Sequence, residues 1–279
     1  MRSSLTISPE FQSLHAKYTN YGQNFAKDKS VIFVGLARDL EQTLETSVNR
    51  VLSLESMFSN VDVLIVENDS SDKTKDVLSQ CYKKHKDKFS YISNDYGSKK
   101  FGTVKDAERT INLAKYRNQY IEHIKKCNKE YDYVIVLDWD FLDFDNSGLL
   151  NTFGWIGQSD ASAMCGISLR YQHVLSQTHK NYWNYDCWAY RGNWWLDKQK
   201  EIDDCNSMLW FGFWIPPIGS PPMKVNSGFG GMCIYKTSDI IQASYEGYDC
   251  EHVCLHKNLS TISDKFQLYI NPSQIMILA

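Results

Sequence analysis

The sequence predicts an α/β protein, with a mostly parallel central sheet flanked by helices in a single Rossmann-like domain. Short, β-branched apolar runs alternate with stretches of helical periodicity through the first half of the chain. Such alternation implies parallel strands joined by right-handed crossovers. Polar residues also gather just after three of the apolar runs, at the strand ends where ligands of open α/β sheets sit.

The elements follow in order. Residues 1–30 are polar with scattered aromatics and are expected to form an N-terminal helical extension packed on the outside. Val31–Ala37 reads as the first strand, and Asp39–Leu54 as a helix with Leu40, Leu44, Val48, Val51 and Leu52 on one face. Val63–Val66 is the second strand; the polar turn Glu67-Asn68-Asp69-Ser70-Ser71-Asp72 follows it and supplies an N-cap for the next helix. A third strand is expected around Phe89–Ile92. Asp106–Lys126 reads as a helix whose buried face is marked by Ala107, Ile111, Ala114, Ile121 and Ile124. Tyr133–Leu137 is the next strand, and Ala161–Leu169 and Met232–Tyr235 are later ones. The chain divides near residue 150 into a first half, 31–150, and a second, 151–279.

Composition excludes several classes. A chain of 279 residues with 43% hydrophobic content builds a core without staples. A net charge of -3 gives no basic field for a nucleic-acid backbone. Eight cysteines without a C-x-x-C pair read as reduced and mostly buried, in a cytoplasmic setting. The first residues lack an apolar signal core, and no apolar run approaches a membrane span. The expectation is a cytoplasmic protein with no transmembrane segment, or a membrane-peripheral one if an anchor precedes Met1.

The most informative junction is Asp138-Trp139-Asp140, where the strand Tyr133–Leu137 leaves the core. Two carboxylates there repel each other unless a cation sits with them. Hard oxygen ligands suit Mg²⁺ or Mn²⁺, which typically take substrate phosphates as further ligands. A bare D-x-D is also a common solvated turn, and its context is what favours a metal. In the first loop, Leu36, Ala37 and Arg38 allow close approach to the backbone and offer a phosphate-binding fork; an ordinary strand-to-helix turn reads the same way. Glu67, Asn68 and Asp69 could bind a nucleobase edge or ribose hydroxyls, while Asp69 or Ser70 could serve the helix cap, and both roles can coexist. Arg117 borders the buried face of its helix and needs a partner, either Asp138, Glu67 or a bound phosphate.

Cys250-Glu251-His252-Val253-Cys254-Leu255-His256 does not read as a zinc site. On a strand its alternating ligands would span roughly 20 Å, and one tetrahedral ion cannot collect them. On a helix, His252 and His256 share a face, so one histidine and Glu251 can address a site while the cysteines pack inward. Asp186, a carboxylate within an apolar stretch, is a candidate proton acceptor or a surface residue. Six tryptophans, Trp183, Trp188, Trp194, Trp195, Trp210 and Trp214, provide core or faces on which sugars stack.

These motifs, in this order, resemble the GT-A glycosyltransferases, enzymes that use sugar nucleotides and an Asp-x-Asp metal motif. Val31–Arg38 is similar to their first nucleotide-contacting strand and loop, and Val66–Thr74 to their acidic base-and-ribose turn. Leu113–Asn118 resembles the helix whose arginine faces the site, and Asp138-Trp139-Asp140 the metal motif. Within that group the segment order resembles the fungal capsule-associated mannosyltransferase family. Tyr185–Arg191 is similar to its tyrosine–aspartate–tryptophan–arginine block, and Asn226–Met232 to its glycine-bearing acceptor turn. Tyr248–His252 departs from the family's acidic-cysteine segment by carrying histidine.

The resemblance implies a metal-dependent glycosyltransferase, with a nucleotide-sugar-binding half at 31–150 and an acceptor-binding half at 151–279. The donor is a UDP- or GDP-linked sugar and the acceptor a glycan hydroxyl. Asp138 and Asp140 hold Mn²⁺ or Mg²⁺, completed by His252 or His256. Leu36, Ala37, Arg38, Glu67, Asn68, Arg117, Asp138 and Trp139 line the nucleotide site. Arg117 stabilises the leaving diphosphate, and Asp186 or Glu251 takes the acceptor's proton if the reaction inverts. A nucleotidyltransferase competes with this reading but lacks a glycine-rich, lysine-bearing loop near the N-terminus. An inactive glycan-binding module competes too, yet would not need Asp138, Asp140 and Arg117.

Overall fold

The computed structural model describes residues 6–102, 106–173, 180–186, 188–192, 195 and 216–278. The side chains of four of the six tryptophans, Trp183, Trp194, Trp210 and Trp214, therefore lie outside the described ones, and Trp188 and Trp195 are placed, both half-buried. The chain forms two compact units: one of residues 29–140 and 234–264, the other of 1–28, 141–233 and 265–279. The architecture is the expected α/β one, with mostly parallel strands flanked by helices.

In the first of these units the strands are β1 (Ser30–Ala37), β2 (Asn60–Asn68), β3 (Phe89–Asn94) and β4 (Tyr133–Leu137). They are ordered β3-β2-β1-β4 and are all parallel, with Val31 opposite both Val61 and Tyr133. β1, β2 and β4 are buried along almost their whole length, which explains their unbroken apolar sequence. The helices of this unit are α2 (Leu44–Leu52), α3 (Thr74–His85) and α4 (Ala107–Lys126). Asp106 caps α4 by accepting from the N–H groups of Glu108 and Arg109 at 2.8 and 3.2 Å.

Two helices depart from expectation. α2 begins at Leu44 rather than Asp39. Asp39 takes a left-handed φ of 55° and its carboxylate accepts from the Ser71 N–H at 2.7 Å, while the Leu40 N–H is held by Thr74 Oγ1 at 2.7 Å. The segment after β1 is thus tied to the turn after β2 before a helix can start. α4 has the expected span but turns a different face inward. Ile111 is 57% exposed, while Tyr116, Arg117 and Tyr120 are buried with Ala114, Ile121 and Ile124.

The other unit holds α1 (Gln12–Ala26), β5 (Phe141–Phe144), α5 (Asn146–Gly157), β6 (Ala163–His173), β7 (Lys180–Asn184), β8 (Met223–Val225) and β10 (Leu268–Leu278). β10 runs parallel to β6 and antiparallel to β5 and β8, and β7 pairs antiparallel with β6. α1 packs on α5, with Tyr18 stacked on Trp155 at 3.4 Å between ring centroids. The strand β9 (Met232–Lys236) contributes its first two residues to this unit and the rest to the other. Residues 234–264 therefore group with 29–140, not with the remainder of 151–279. They include a last helix, α6 (Glu251–Ile262), and α6 and α4 pack together.

Candidate active site

The end of β4 organises the site. Trp139 is 1% exposed and lies against Gly35 of β1. A Cβ on Gly35 would stand 2.0 Å from the Leu137 carbonyl oxygen and 2.8 Å from the indole, so only glycine admits both neighbours. With Trp139 turned into the core, Asp138 is left partly exposed and Asp140 exposed.

Arg117 reaches this corner from α4. Its guanidinium is almost fully buried and spans two carboxylates: Nε donates to Glu251 Oε1 at 3.0 Å, and Nη2 lies 3.6 Å from Asp138 Oδ1. Tyr245 lies 5.9 Å from the guanidinium, ring centroid to Cζ, and its hydroxyl accepts from Tyr120 at 2.7 Å. Burial works against the positive charge, but Tyr120, Glu251, Tyr245 and Asp138 outweigh it and hold the pKa well above the ordinary arginine value. Of the partners the sequence offered, Asp138 is met and Glu67 is not. Glu251 is the partner that sequence reading missed. It is brought there as the first residue of α6, where a carboxylate also complements the helix dipole.

The Glu251 side chain is 5% exposed and its Oε1 engages Arg117, which makes it an ion-pair partner in the core of the site. The histidines of α6 are buried as well. His256 is fully buried, and its Nε2 is hydrogen-bonded with the Tyr235 hydroxyl at 2.7 Å. His252 is 2% exposed, packed edge-on against Tyr245 and stacked with His256. Burial lowers the His256 pKa to about 3 and, with Arg117 and His256 adding to it, lowers that of His252 well below the usual value. Both are neutral core residues. Among the described residues no three His, Cys, Asp or Glu side chains gather around one ion. Asp138 and Asp140 are the accessible carboxylates at the end of β4 and could hold a metal. Such a pair suits Mg²⁺ or Mn²⁺, which bind through one or two carboxylates and leave other positions to phosphate oxygens.

The loops after β1 and β2 hold a strap rather than open hands. Glu67 is fully buried and accepts from the Ser70 N–H at 2.8 Å and from the Ser93 hydroxyl. It builds the turn after β2. Asn68 is 4% exposed and donates to Asp69 Oδ2 at 3.2 Å. Asp69, at a left-handed φ of 52°, collects the N–H groups of Tyr96, Gly97 and Ser98 at 2.6, 2.7 and 3.2 Å. Arg38 donates to the Ser98 and Lys99 carbonyls at 2.8 and 3.3 Å. Its terminal nitrogens thus clasp the strap. Leu36 is half-buried and Ala37 is buried beside it. The strap itself had one sequence signal, the turn composition of Asn94-Asp95-Tyr96-Gly97-Ser98. Tyr96 stacks on Tyr116 at 5.3 Å, and the Ser98 and Tyr116 hydroxyls are 2.6 Å apart.

Asp186 belongs to the other unit. It is half-buried, and Oδ2 accepts from the Gly230 N–H at 2.8 Å. Gly230 has a φ of 61°, and a Cβ there would stand 2.0 Å from the Gly166 carbonyl oxygen. Asn184, Asp186, Tyr190, Gly228 and Phe229 line a small cavity at this turn. Arg191, fully buried, donates to the Trp188 and Tyr190 carbonyls at 2.9 Å each and so shapes the loop that carries Tyr190.

The family model described as Cryptococcal mannosyltransferase 1 matches residues 30–246. No curated protein sequence matches the chain. Among solved structures, the mannosyltransferase PcManGT from Pyrobaculum calidifontis, in complex with GDP-Man and Mn²⁺, is similar with a TM-score of 0.53 and 11% identity over 97% of this chain and 66% of that one. GalNAc-T7 with UDP, GalNAc and Mn²⁺ gives 0.55 and 12% over 98% and 53%. Glucosyl-3-phosphoglycerate synthase from Mycobacterium tuberculosis, with Mn²⁺, UDP and phosphoglyceric acid, gives 0.51 and 8% over 94% and 74%. At these identities the likeness is one of fold, the GT-A fold. The chain spans 66% and 53% of the length of the first two.

Proposed function

We propose that this chain, which belongs to the family of Cryptococcal mannosyltransferase 1, is a metal-dependent glycosyltransferase that moves a sugar from a nucleoside diphosphate to a glycan hydroxyl. The observation that carries the reading is the corner at the end of β4. There Asp138 and Asp140 are accessible to solvent, and Arg117 is buried beside Asp138.

Asp138 and Asp140 would hold the cation, Mn²⁺ or Mg²⁺. When bound, that ion supplies positive charge to the diphosphate as it leaves. Arg117 adds a second, permanent positive charge from the protein side, already oriented before the sugar nucleotide arrives. The support is electrostatic. Arg117, Glu251 and Asp138 together carry one net negative charge, and Asp140 adds another, so the corner favours a cation and, through it, a diphosphate. Asp186, at the lip of its own cavity beside Tyr190 and Phe229, is the proton acceptor for an inverting transfer and an orienting residue for a retaining one. UDP- and GDP-linked sugars are both candidate donors, and the family's description makes GDP-mannose the first to test. No described helix is long and apolar enough to cross a membrane.

Calorimetry with UDP and GDP tests the reading. One of them should bind in the presence of Mn²⁺ and at least tenfold more weakly without it, a difference of about 1.4 kcal/mol. Asp140→Ala should abolish the Mn²⁺ dependence and sugar transfer while keeping the melting temperature within about 2 °C, as expected of an exposed carboxylate. Undiminished transfer by that variant sinks the proposal.

A further inference from the structure

Two of the contacts that Arg117 makes are unequal in geometry. The contact with Glu251 is a hydrogen bond at Nε, the inner nitrogen of the guanidinium, at 3.0 Å. The contact with Asp138 is looser, 3.6 Å from Nη2, and Asp138 is 30% exposed where Glu251 is 5% exposed. The side chain is therefore gripped at its stem, and its tip points to the accessible carboxylate. The segment around the stem is tied down by further contacts. Asn118, the next residue of α4, exchanges two hydrogen bonds with the Tyr245 backbone, at 2.9 and 2.8 Å. Thr110 Oγ1 donates to the Gly247 carbonyl at 2.7 Å, and a Cβ on Gly247 would stand 2.4 Å from Ile111. These contacts fix the segment leading into α6 against α4, and α6 opens with Glu251.

We infer that Glu251 is a positioning residue: its buried carboxylate fixes Arg117 at Nε so that the guanidinium tip stays at the Asp138 corner, where a diphosphate would be bound. This rests on the donor-site reading above. A flexible arginine would have to be immobilised as the ligand binds. One already held by a fixed acceptor has lost that freedom beforehand, so less affinity is spent on ordering it. Glu251 acts only through Arg117 and touches no substrate.

A double-mutant cycle on the full chain tests this, with Mn²⁺-GDP or Mn²⁺-UDP binding as the readout, whichever nucleotide the wild type prefers. Glu251→Ala should weaken binding about tenfold in the wild-type background and have no further effect once Arg117→Met is present. Glu251→Gln, whose amide oxygen still accepts from Nε, should restore binding to within about threefold of wild type. If Glu251→Ala is too unstable to purify, Glu251→Asp carries the same comparison, because its carboxylate is one methylene short of Nε. Equal losses in both backgrounds overturn the inference, as does unaltered binding with only a lowered melting temperature. If the wild type binds neither nucleotide, the donor-site reading itself fails and takes the inference with it.

Discussion

At the scale of single residues, burial decides which of the titratable groups near α6 can do chemistry. His256 is kept neutral by its surroundings, with a pKa of about 3, and it faces the Tyr235 hydroxyl, His252 and the core. In the unfolded chain it would titrate near the ordinary histidine value of about 6.5. Its folded pKa is thus the lower one, and below pH 6.5 the unfolded state takes up a proton that the folded state refuses. The stability that His256 contributes is complete above that pH and is lost as pH falls from about 6.5 towards 3. From pH 7 to pH 5 the loss from this residue is about 2 kcal/mol. Urea unfolding at the two pH values should show it, and His256→Phe should flatten the pH dependence by that amount. A His256 variant as acid-sensitive as the wild type would show that the imidazole takes up its proton in the fold as readily as in the unfolded chain. Asp39 acts in a separate and more acidic window. Its pKa is lowered to about 2 by hydrogen bonds from Lys100 and Ser71, which outweigh the opposing effect of burial.

At the scale of elements, the strands were legible because burial on both faces leaves a continuous apolar signature, as in Val31–Val34, Val63–Val66 and Tyr133–Leu137. The face of α4 was not. Periodicity chose Ala107 and Ile111, but tertiary partners drew Tyr116, Arg117 and Tyr120 inward, because Tyr245 and Glu251 await them. Those partners lie more than a hundred residues away in sequence, and nothing local announces them. For the same reason the sequence could place Asp138 and Arg117 together but could not find Glu251 as the third member, nor see that Asp69 and Arg38 serve the strap over residues 96–99. β10, interrupted at Pro272, gave too irregular a pattern to be read as a strand. The contact between β1 and β4 yields a prediction. Gly35→Ala must displace the Leu137 carbonyl or the Trp139 indole, and overpacking of this kind costs about 1–3 kcal/mol. The melting temperature should fall, and Mn²⁺-dependent nucleotide binding should fall with it, since Trp139 sits between the two aspartates. A variant that loses stability but binds as well as wild type would separate the strand contact from the site.

At the scale of the molecule, the chain passes between its two units four times, at residues 28–29, 140–141, 233–234 and 264–265. A boundary near residue 150, which the change in sequence texture suggests, would sever the unit that carries Asp138 and Arg117 from residues 234–264. Those residues supply Tyr245, Gly247 and Glu251 to α4. A fragment covering only 29–150 would leave the Arg117 charge in an apolar face without its closest acceptor, and removing one member of a buried pair costs about 3–5 kcal/mol. Loss of residues 234–264 would also strip the buried Tyr120 of its hydrogen-bond partner Tyr245. Typical domain stability is about 5–15 kcal/mol, so the two losses together are enough to prevent folding. The fragment should therefore melt without a cooperative transition by circular dichroism, whereas the full chain should show one. A 29–150 fragment with a sharp transition and Mn²⁺-dependent nucleotide binding would mean that residues 234–264 are dispensable to the site, and that the Arg117–Glu251 pair is decoration on a fold already complete without it.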